Sequence, residues 1–244
     1  MIDFLFFVAA FISEIIGTIA GFGSSTIFLP IALFFVDFKT ALILVALAHI
    51  AGGLGRLTFF RQGFDKKLAL AFGVPSVLLA LAGALLVSYL PQELLKLILG
   101  IFLMLFSVNS FFKPDFKLPL NTANAVFGGA LSGFLAGLIG TGGAIRGAFL
   151  NAFSLPKEKY VATAALISLA IDFTRIPVYF ANGFLEEQFY YAVPLLFILA
   201  IAGSFAGKKL VDRVQQKTFR KLIQFAIAIV SLKFIVEGLF FLFL

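Results

Sequence analysis

The sequence has 244 residues, of which 61% are hydrophobic and only 13% are charged, and its mean hydropathy is +1.10. This composition lies far outside the range of soluble globular domains and predicts an integral membrane protein. The formal charge of +7 does not indicate nucleic-acid binding, because most lysines and arginines lie in short stretches between apolar segments. The absence of cysteine excludes disulfides, thiol nucleophiles and thiolate metal sites.

Eight apolar segments are each long enough to cross ~30 Å of hydrocarbon as a helix that rises about 1.5 Å per residue. The first follows Met1-Ile2-Asp3, which lacks the basic region of a signal peptide, so we expect this helix to be retained. We therefore predict an all-α membrane domain with full spans at about 2–20, 40–60, 68–90, 94–112, 121–140, 160–181, 188–207 and 218–244.

Two further apolar pieces, at 24–36 and 143–155, are too short to cross the membrane alone. Each would reach only ~20 Å as a helix, and each follows a glycine cluster. The glycine ends are therefore predicted to lie inside the membrane. Non-helical backbone is tolerated there only when it is buried in protein or lines a polar cavity.

The first cluster reads Gly21-Phe22-Gly23-Ser24-Ser25. The first turn of the short helix that follows leaves unpaired N–H groups at its positive end, which favours an anion. Glycine allows close approach to that backbone, and the two serines add hydroxyl donors. Alternatively, the glycines only permit tight helix packing, and for one cluster considered alone that interpretation is favoured.

Two polar residues lie in the next full span. His49 is the only histidine, and it is able to donate to an anion, to carry a proton, or simply to pack with its polar atoms satisfied. Arg56 is seven residues further on, on the same helical face and about 10 Å nearer the membrane surface. It is predicted to attract an anion or control its entry, with extension to the interface as the alternative.

An internal repeat relates the two halves of the chain. A gap-free offset of 119 residues pairs Gly21 with Gly140, Gly23 with Gly142, Arg56 with Arg175 and Pro75 with Pro194. Beyond Pro91 the match requires an insertion of about six residues. We predict a first transmembrane repeat at 1–112, a cytoplasmic linker at 113–120 and a second transmembrane repeat at 121–244.

The second glycine cluster, Gly140-Thr141-Gly142-Gly143, occupies the equivalent place in the second repeat. Two clusters that each precede a helix too short to cross favour a transporter site over simple packing. The same offset pairs His49 with Ser168, so both are predicted near the bilayer midplane. The predicted substrate site therefore consists of Gly21, Phe22, Gly23, Ser24, Ser25, His49, Gly140, Thr141, Gly142, Gly143 and Ser168, with Arg56 and Arg175 for attraction or gating.

Each half contains five segments, and an odd number predicts that the second repeat is inverted. With the short pieces crossing, the basic loop residues divide 13 to 2 between the two sides, and with the pieces merely dipping in and out they would divide 10 to 5. The positive-inside preference favours the first arrangement and places both termini outside the cytoplasm. The 13 are Arg61, Lys66, Lys67, Lys113, Lys117, Lys157, Lys159, Lys208, Lys209, Arg213, Lys217, Arg220 and Lys221, against Lys39 and Lys96.

Other charges within apolar sequence also require partners, because a charge at helix centre costs roughly 2.5–3.5 kcal/mol. Asp172 and Arg175 are spaced i, i+3, and Lys233 and Glu237 are spaced i, i+4, so each is a possible pair. Glu14 and Asp172 join His49 as candidates for proton coupling, and the remaining charge of this kind is Arg146.

These residues resemble the TauE/SafE-like membrane proteins, which are associated with export of sulfite and organosulfonates. The resemblance rests on residues 21–30, on 49–56, and on 140–146 followed by 162–182. It implies a bacterial or archaeal plasma-membrane permease for a small, commonly sulfur-containing anion. Ser24 and Ser25 depart from the family's usual glycine-rich pattern after the first Gly-x-Gly, as does Ala144 after Gly143.

The predicted function is therefore that of a secondary transporter that binds a small sulfur-containing anion near the midplane and works by alternating access. The alternative is a passive anion channel whose broken helices line a pore. An enzyme is disfavoured, because one histidine, no cysteine and no carboxylate cluster leave few candidates for catalysis. We expect the lipid bilayer and the anion as partners, no nucleic acid and no cofactor, and the sequence does not predict an oligomeric state.

Overall fold

A computed structural model describes residues 3–21, 23–59, 63–112, 119, 121–153, 155–211 and 213–243. Within these residues the chain forms α-helices joined by short turns, with no β-strand, which confirms the predicted all-α fold. Phe22 and most of the predicted linker at 113–120 lie outside the described residues. The helices are α1 (Phe4–Ala20), α2 (Ser25–Ala32), α3 (Phe38–Phe59), α4 (Lys66–Leu86), α5 (Gln92–Phe112), α6 (Thr122–Ile139), α7 (Gly143–Ala152), α8 (Lys157–Ala181), α9 (Ala192–Leu210) and α10 (Gln216–Phe243).

Seven of the described helices are long and apolar enough to cross a membrane, namely α3, α4, α5, α6, α8, α9 and α10. The first predicted span is slightly shorter, because α1 has only 17 residues. The two pieces predicted to be too short are indeed separate helices. With eight residues in α2 and ten in α7, they reach only about 12 Å and 15 Å.

Both long helices that precede the breaks end at a left-handed glycine. Gly21 has a φ of 82°, and its N–H bonds the carbonyl of Gly17 in the last turn of α1. Gly140 has a φ of 72°, and its N–H bonds the carbonyl of Ala136 in the last turn of α6. A residue with a Cβ is disfavoured in this conformation. The glycine clusters therefore act first as helix caps that stop the chain inside the bundle.

The helices pack in pairs that the sequence repeat relates to one another. The first helix of each half packs on the fourth helix of the other half, so α1 contacts α9 and α6 contacts α4. The third helices, α3 and α8, contact each other, and so do the fifth helices, α5 and α10. These matching contacts between the halves agree with a two-fold relationship. The inversion of the second half across the membrane remains a prediction.

Glycines allow the closest of these contacts. Gly129, Gly133 and Gly137 lie one turn apart on α6, and a Cβ on any of them would overlap a backbone carbonyl of α4. Ser76 strengthens the contact by donating its hydroxyl to the carbonyl of Gly129 at 2.9 Å. Small residues of this kind are typical of membrane helix interfaces. The packing also explains why a glycine at 133 occupies the place that Glu14 has in the first half.

The distribution of polarity suits a chain surrounded by lipid. Large apolar side chains such as Leu105 and Phe225 are exposed, each at 65%, on the outer faces of α5 and α10. Charged side chains that the sequence places in apolar segments are instead buried at the centre, between α1, α3, α7 and α8. The predicted pair of Lys233 and Glu237 on α10 forms at 3.1 Å and is half-exposed. The centre of the bundle is therefore where functional chemistry is concentrated.

Candidate functional site

Among the described residues, five charged side chains and one histidine are buried together at the centre of the bundle. Removing them from water costs several kcal/mol per ion unless each has a partner, so their contacts indicate which of them are structural. Each is at most 5% exposed, and they are Glu14, His49, Arg56, Arg146, Asp172 and Arg175.

Glu14 and Arg56 form a buried ion pair between α1 and α3, through Nη1 of the arginine and Oε1 of the carboxylate. Gly52 makes room for this pair, because a Cβ there would overlap the carboxylate. The second terminal nitrogen of Arg56, Nη2, has no hydrogen-bond partner within the described part of the chain. Arg56 is therefore held by one nitrogen and leaves the other available.

Asp172 joins two other members of the cluster. Its Oδ1 accepts from Nε of Arg175 at 2.9 Å and lies 2.7 Å from Nη2, which confirms the predicted i, i+3 pair. Its Oδ2 lies 2.8 Å from Nδ1 of His49, at hydrogen-bond distance. Arg175 also donates Nη1 to the carbonyl of Ala136 at 2.6 Å, at the end of α6. Arg175 is therefore fully engaged in connecting α8 to α6.

His49 directs its second ring nitrogen at the first glycine break. Nε2 is buried and has no hydrogen-bond partner among the described residues. The position that a Cβ of Gly23 would occupy lies 3.0 Å from this nitrogen and 3.6 Å from Nη2 of Arg146. The missing side chain of Gly23 thus leaves a space on which an imidazole and a guanidinium converge.

Arg146 is the charged side chain of the cluster that no partner neutralises. It lies on α7, is only 4% exposed, and makes no hydrogen bond or ion pair with any described residue. We did not predict it as a site residue, although it is the only charge on either short helix and its repeat equivalent is Ile27. A lone charge on a helix that begins inside the membrane is the signal that indicates such a residue.

A narrow cleft lies beside Arg56 and Arg146. Its empty volume is about 290 Å³ with the open mouth included, yet its interior has room for only about one water molecule. The hydroxyl of Thr18, on its wall, has no hydrogen-bond partner within the described ranges. The opposite wall on α8 is mostly small and apolar. The described lining residues are Gly17, Thr18, Gly21, Gly23, Arg56, Arg146, Val161, Ala164, Ala165 and Ser168.

The structure brings only part of the predicted site to this cleft. Gly21, Gly23, Arg56 and Ser168 line it, and the Ser168 hydroxyl donates to the carbonyl of Ala164 at 2.8 Å. Four other predicted residues or pairs lie nearby but outside its described lining. They are Ser24 and Ser25, which are buried, His49, which faces Gly23, and the Asp172–Arg175 pair.

The second glycine break is filled by packing. A Cβ on Gly140 would lie 2.6 Å from Cδ2 of Leu42, and the carbonyl of Gly142 accepts from Ser132 at 2.9 Å. Thr141 donates to the hydroxyl of Thr26 at 2.9 Å, which joins the second break to α2, and Gly143 begins α7. The two breaks therefore meet, but the described cleft is built on the first break alone.

The sulfite exporter TauE/SafE family matches residues 5–234 of the chain. The chain belongs to the TauE/SafE family. Membership confirms the resemblance in the sequence and identifies a multi-pass membrane protein of a family of transporters for sulfite and related sulfur anions. No curated protein and no solved structure matches the sequence significantly.

The buried cluster of this TauE/SafE protein carries a surplus positive charge. Among the described residues, the buried arginines are Arg56, Arg146 and Arg175, and the buried carboxylates are Glu14 and Asp172. With His49 neutral, three positive and two negative charges leave a net charge of +1. Two ion pairs account for Arg56 and Arg175, so the surplus resides on Arg146. Such a centre is suited to receive an anion.

Proposed function

We propose that this TauE/SafE protein is a secondary transporter that exports a small sulfur-containing anion, such as sulfite or an organosulfonate, across the plasma membrane by alternating access. The anion binds in the cleft between the first glycine break, α3, α7 and α8. The observation that carries this proposal is Arg146, a buried cation without a neutralising partner at the wall of the cleft.

Two further groups support the cleft as an anion site. Nη2 of Arg56 and the hydroxyl of Thr18 are both buried, and neither has a hydrogen-bond partner among the described residues. Buried polar groups are normally satisfied, so two unsatisfied donors on the wall of one cleft indicate a site for a polar ligand. An oxyanion has several acceptor oxygens, and guanidinium and hydroxyl groups are its usual donors in proteins.

Roles for the remaining predicted residues follow from their contacts. Gly21 and Gly23 allow the anion to approach the backbone, and Ser168 forms part of the opposite wall. Asp172 and Arg175 orient His49 and do not contact the anion, while Glu14 orients Arg56. The second break positions α7 and thereby Arg146, through the contact between Thr141 and Thr26. Arg146 replaces the second break as that half's contribution to the site.

The narrowness of the cleft favours a transporter over a passive channel. Its interior has room for about one water molecule, so a sulfur oxyanion enters only after a rearrangement of the surrounding helices. The left-handed glycines at 21 and 23, with φ of 82° and 91°, provide a non-helical joint between α1 and α2. Movement at such a joint would open the site to one side at a time.

Counterflow in proteoliposomes tests this function. Vesicles preloaded with excess unlabelled sulfite should accumulate labelled sulfite transiently above its equilibrium level, and the initial rate should saturate with external sulfite. Vesicles without the protein provide the background. A passive channel gives no accumulation, and its flux rises in proportion to concentration. Proportional flux without counterflow would therefore contradict the transporter and favour the channel.

A further inference from the structure

The unpartnered ring nitrogen of His49 has a defined chemical state. The Arg175 guanidinium forms an ion pair with Asp172 through Nε and Nη2, and this paired cation favours the ionised, acceptor-only form of the carboxylate. Nδ1 of His49 must then carry the hydrogen that this carboxylate accepts at 2.8 Å. In neutral His49 the proton is therefore on Nδ1, and Nε2 presents a bare lone pair towards Gly23.

A bare lone pair and an anion repel each other unless a hydrogen lies between them. The charged groups near His49 come from three elements: Asp172 on α8, Arg56 on α3 and Arg146 on α7. The backbone of Gly23, which also packs against the ring, brings no charge. Glu14 on α1 is the remaining buried carboxylate, and it is paired with Arg56. The net charge around a bound anion therefore depends on these buried side chains and on whether Nε2 of His49 is protonated.

The net charge of +1 at the centre is neutralised by one monovalent anion while His49 is neutral. A divalent anion would leave a net charge of −1 buried in the bundle, and burial of an uncompensated charge is strongly unfavourable. One proton on Nε2 restores neutrality. It also converts the repelling lone pair into a charge-assisted donor to the anion.

We propose that the site takes monovalent anions without a proton and divalent anions only together with one proton, which is held on Nε2 of His49. The lone pair of Nε2 accepts this proton from hydronium in the entering solution, and the new N–H donates to an oxygen of the anion. When the anion leaves, the proton returns to water on the other side. Divalent anion and proton are then carried together. This inference rests on the proposed function, because it concerns the same cleft.

Sulfate and methanesulfonate are suitable probes. Both are small tetrahedral sulfur anions, neither titrates near neutral pH, and they carry charges of −2 and −1. The experiment measures the proton uptake of the purified full-length protein on addition of each anion, with a pH indicator in weak buffer, alongside calorimetric binding. Sulfate should take up about one proton per bound anion and methanesulfonate about none. Sulfate affinity should rise about tenfold for each unit of pH decrease while His49 is neutral in the free protein.

The variant His49→Gln keeps an amide near the position of Nε2 but cannot accept a proton. It should show no proton uptake with sulfate, and its sulfate affinity should fall at least tenfold, because the second negative charge stays uncompensated and a charge-assisted hydrogen bond becomes a neutral one. Its affinity for methanesulfonate should not fall, because the amide replaces a lone pair that repels this anion. Size-exclusion chromatography and thermal unfolding check that His49→Gln is folded. The comparison of sulfate with methanesulfonate on the wild-type protein does not depend on this variant.

The outcomes separate this inference from the proposed function. Three outcomes would each overturn the proton-linked site while leaving an anion site in place. They are equal proton uptake with both anions, sulfate binding to the wild-type protein without proton uptake, and undiminished proton uptake in His49→Gln. Binding of neither anion to the wild-type protein would contradict the anion site itself, and with it this inference.

Discussion

Nε2 of His49 lies 3.0 Å from the position that a Cβ of Gly23 would occupy. Replacing Gly23 by Ala therefore fills the space on which His49 and Arg146 converge. It also forces a Cβ onto a residue with a φ of 91°, at a cost of about 1–3 kcal/mol. We expect sulfite affinity to fall at least tenfold, as measured by calorimetry.

Gly183→Ala is the matched control for this substitution. Gly183 has a φ of 70°, and a Cβ there would meet nothing within 4 Å. The Gly183→Ala variant should lose about as much stability from backbone strain as Gly23→Ala, but its sulfite affinity should equal that of wild type. Equal affinities in Gly23→Ala and wild type would show that the space beside Gly23 is not used.

Gly52 should be much less tolerant of a methyl group than its neighbour Gly53. A Cβ on Gly52 would overlap the carboxylate of Glu14 and break its buried pair with Arg56, which costs about 3–5 kcal/mol. A Cβ on Gly53 would lie 2.9 Å from Cδ2 of Leu169, a flexible side-chain end that is able to move aside. Thermal unfolding should show a clearly lower Tm for Gly52→Ala than for Gly53→Ala. Equal Tm values would contradict a structural role for the pair.

Arg146 and Arg175 should respond in opposite directions when each is replaced by Met. Arg146 is buried without an ion-pair partner among the described residues, so Arg146→Met should raise the Tm of the anion-free protein. Arg175→Met leaves Asp172 without its cation and should destabilise the protein by about 3–5 kcal/mol. A fall in Tm for Arg146→Met would indicate that Arg146 is structural.

Thr26 and Thr141 connect the two short helices through one buried hydrogen bond of 2.9 Å. A double-mutant cycle with Thr26→Val and Thr141→Val should give a coupling energy of about 0.5–1.5 kcal/mol in unfolding. We expect transport to fall in both single variants, because the contact holds α7 and Arg146 in place. Additive effects on stability would mean that the hydroxyls do not interact.

Local sequence features predicted the parts of the fold that depend on chain geometry. The lengths of the pieces at 24–36 and 143–155 were sufficient to predict α2 and α7, because a helix rises by a constant amount per residue. The pair of Asp172 and Arg175 followed from its i, i+3 spacing. The length of a short helix and an i, i+3 ion pair both depend on residues that are close in sequence, and not on long-range contacts.

The partners within the site could not be predicted, because they lie far apart in sequence. Arg56 pairs with Glu14, 42 positions away, and His49 pairs with Asp172, 123 positions away. The repeat also does not specify which side chains pack at its two equivalent glycine breaks. A Cβ on Gly140 would lie 2.6 Å from Cδ2 of Leu42, whereas a Cβ on the equivalent Gly21 would lie 3.0 Å from the ring of Tyr160. The side chains beside the two glycine breaks differ, because the residues that supply them are not the same in the two repeats.

The role of Arg146 in anion binding is tested by equilibrium binding of sulfite to the purified protein, with Arg146→Gln compared against Lys233→Gln. Both substitutions remove one positive charge, but Lys233 is half-exposed on α10 and already paired with Glu237. Wild-type binding should be saturable and should weaken at least tenfold in Arg146→Gln, since a hydrogen bond to a charged group contributes about 1.5–3 kcal/mol. Lys233→Gln should bind within about twofold of wild type. Equal affinity in wild type and Arg146→Gln would mean that Arg146 does not bind the anion.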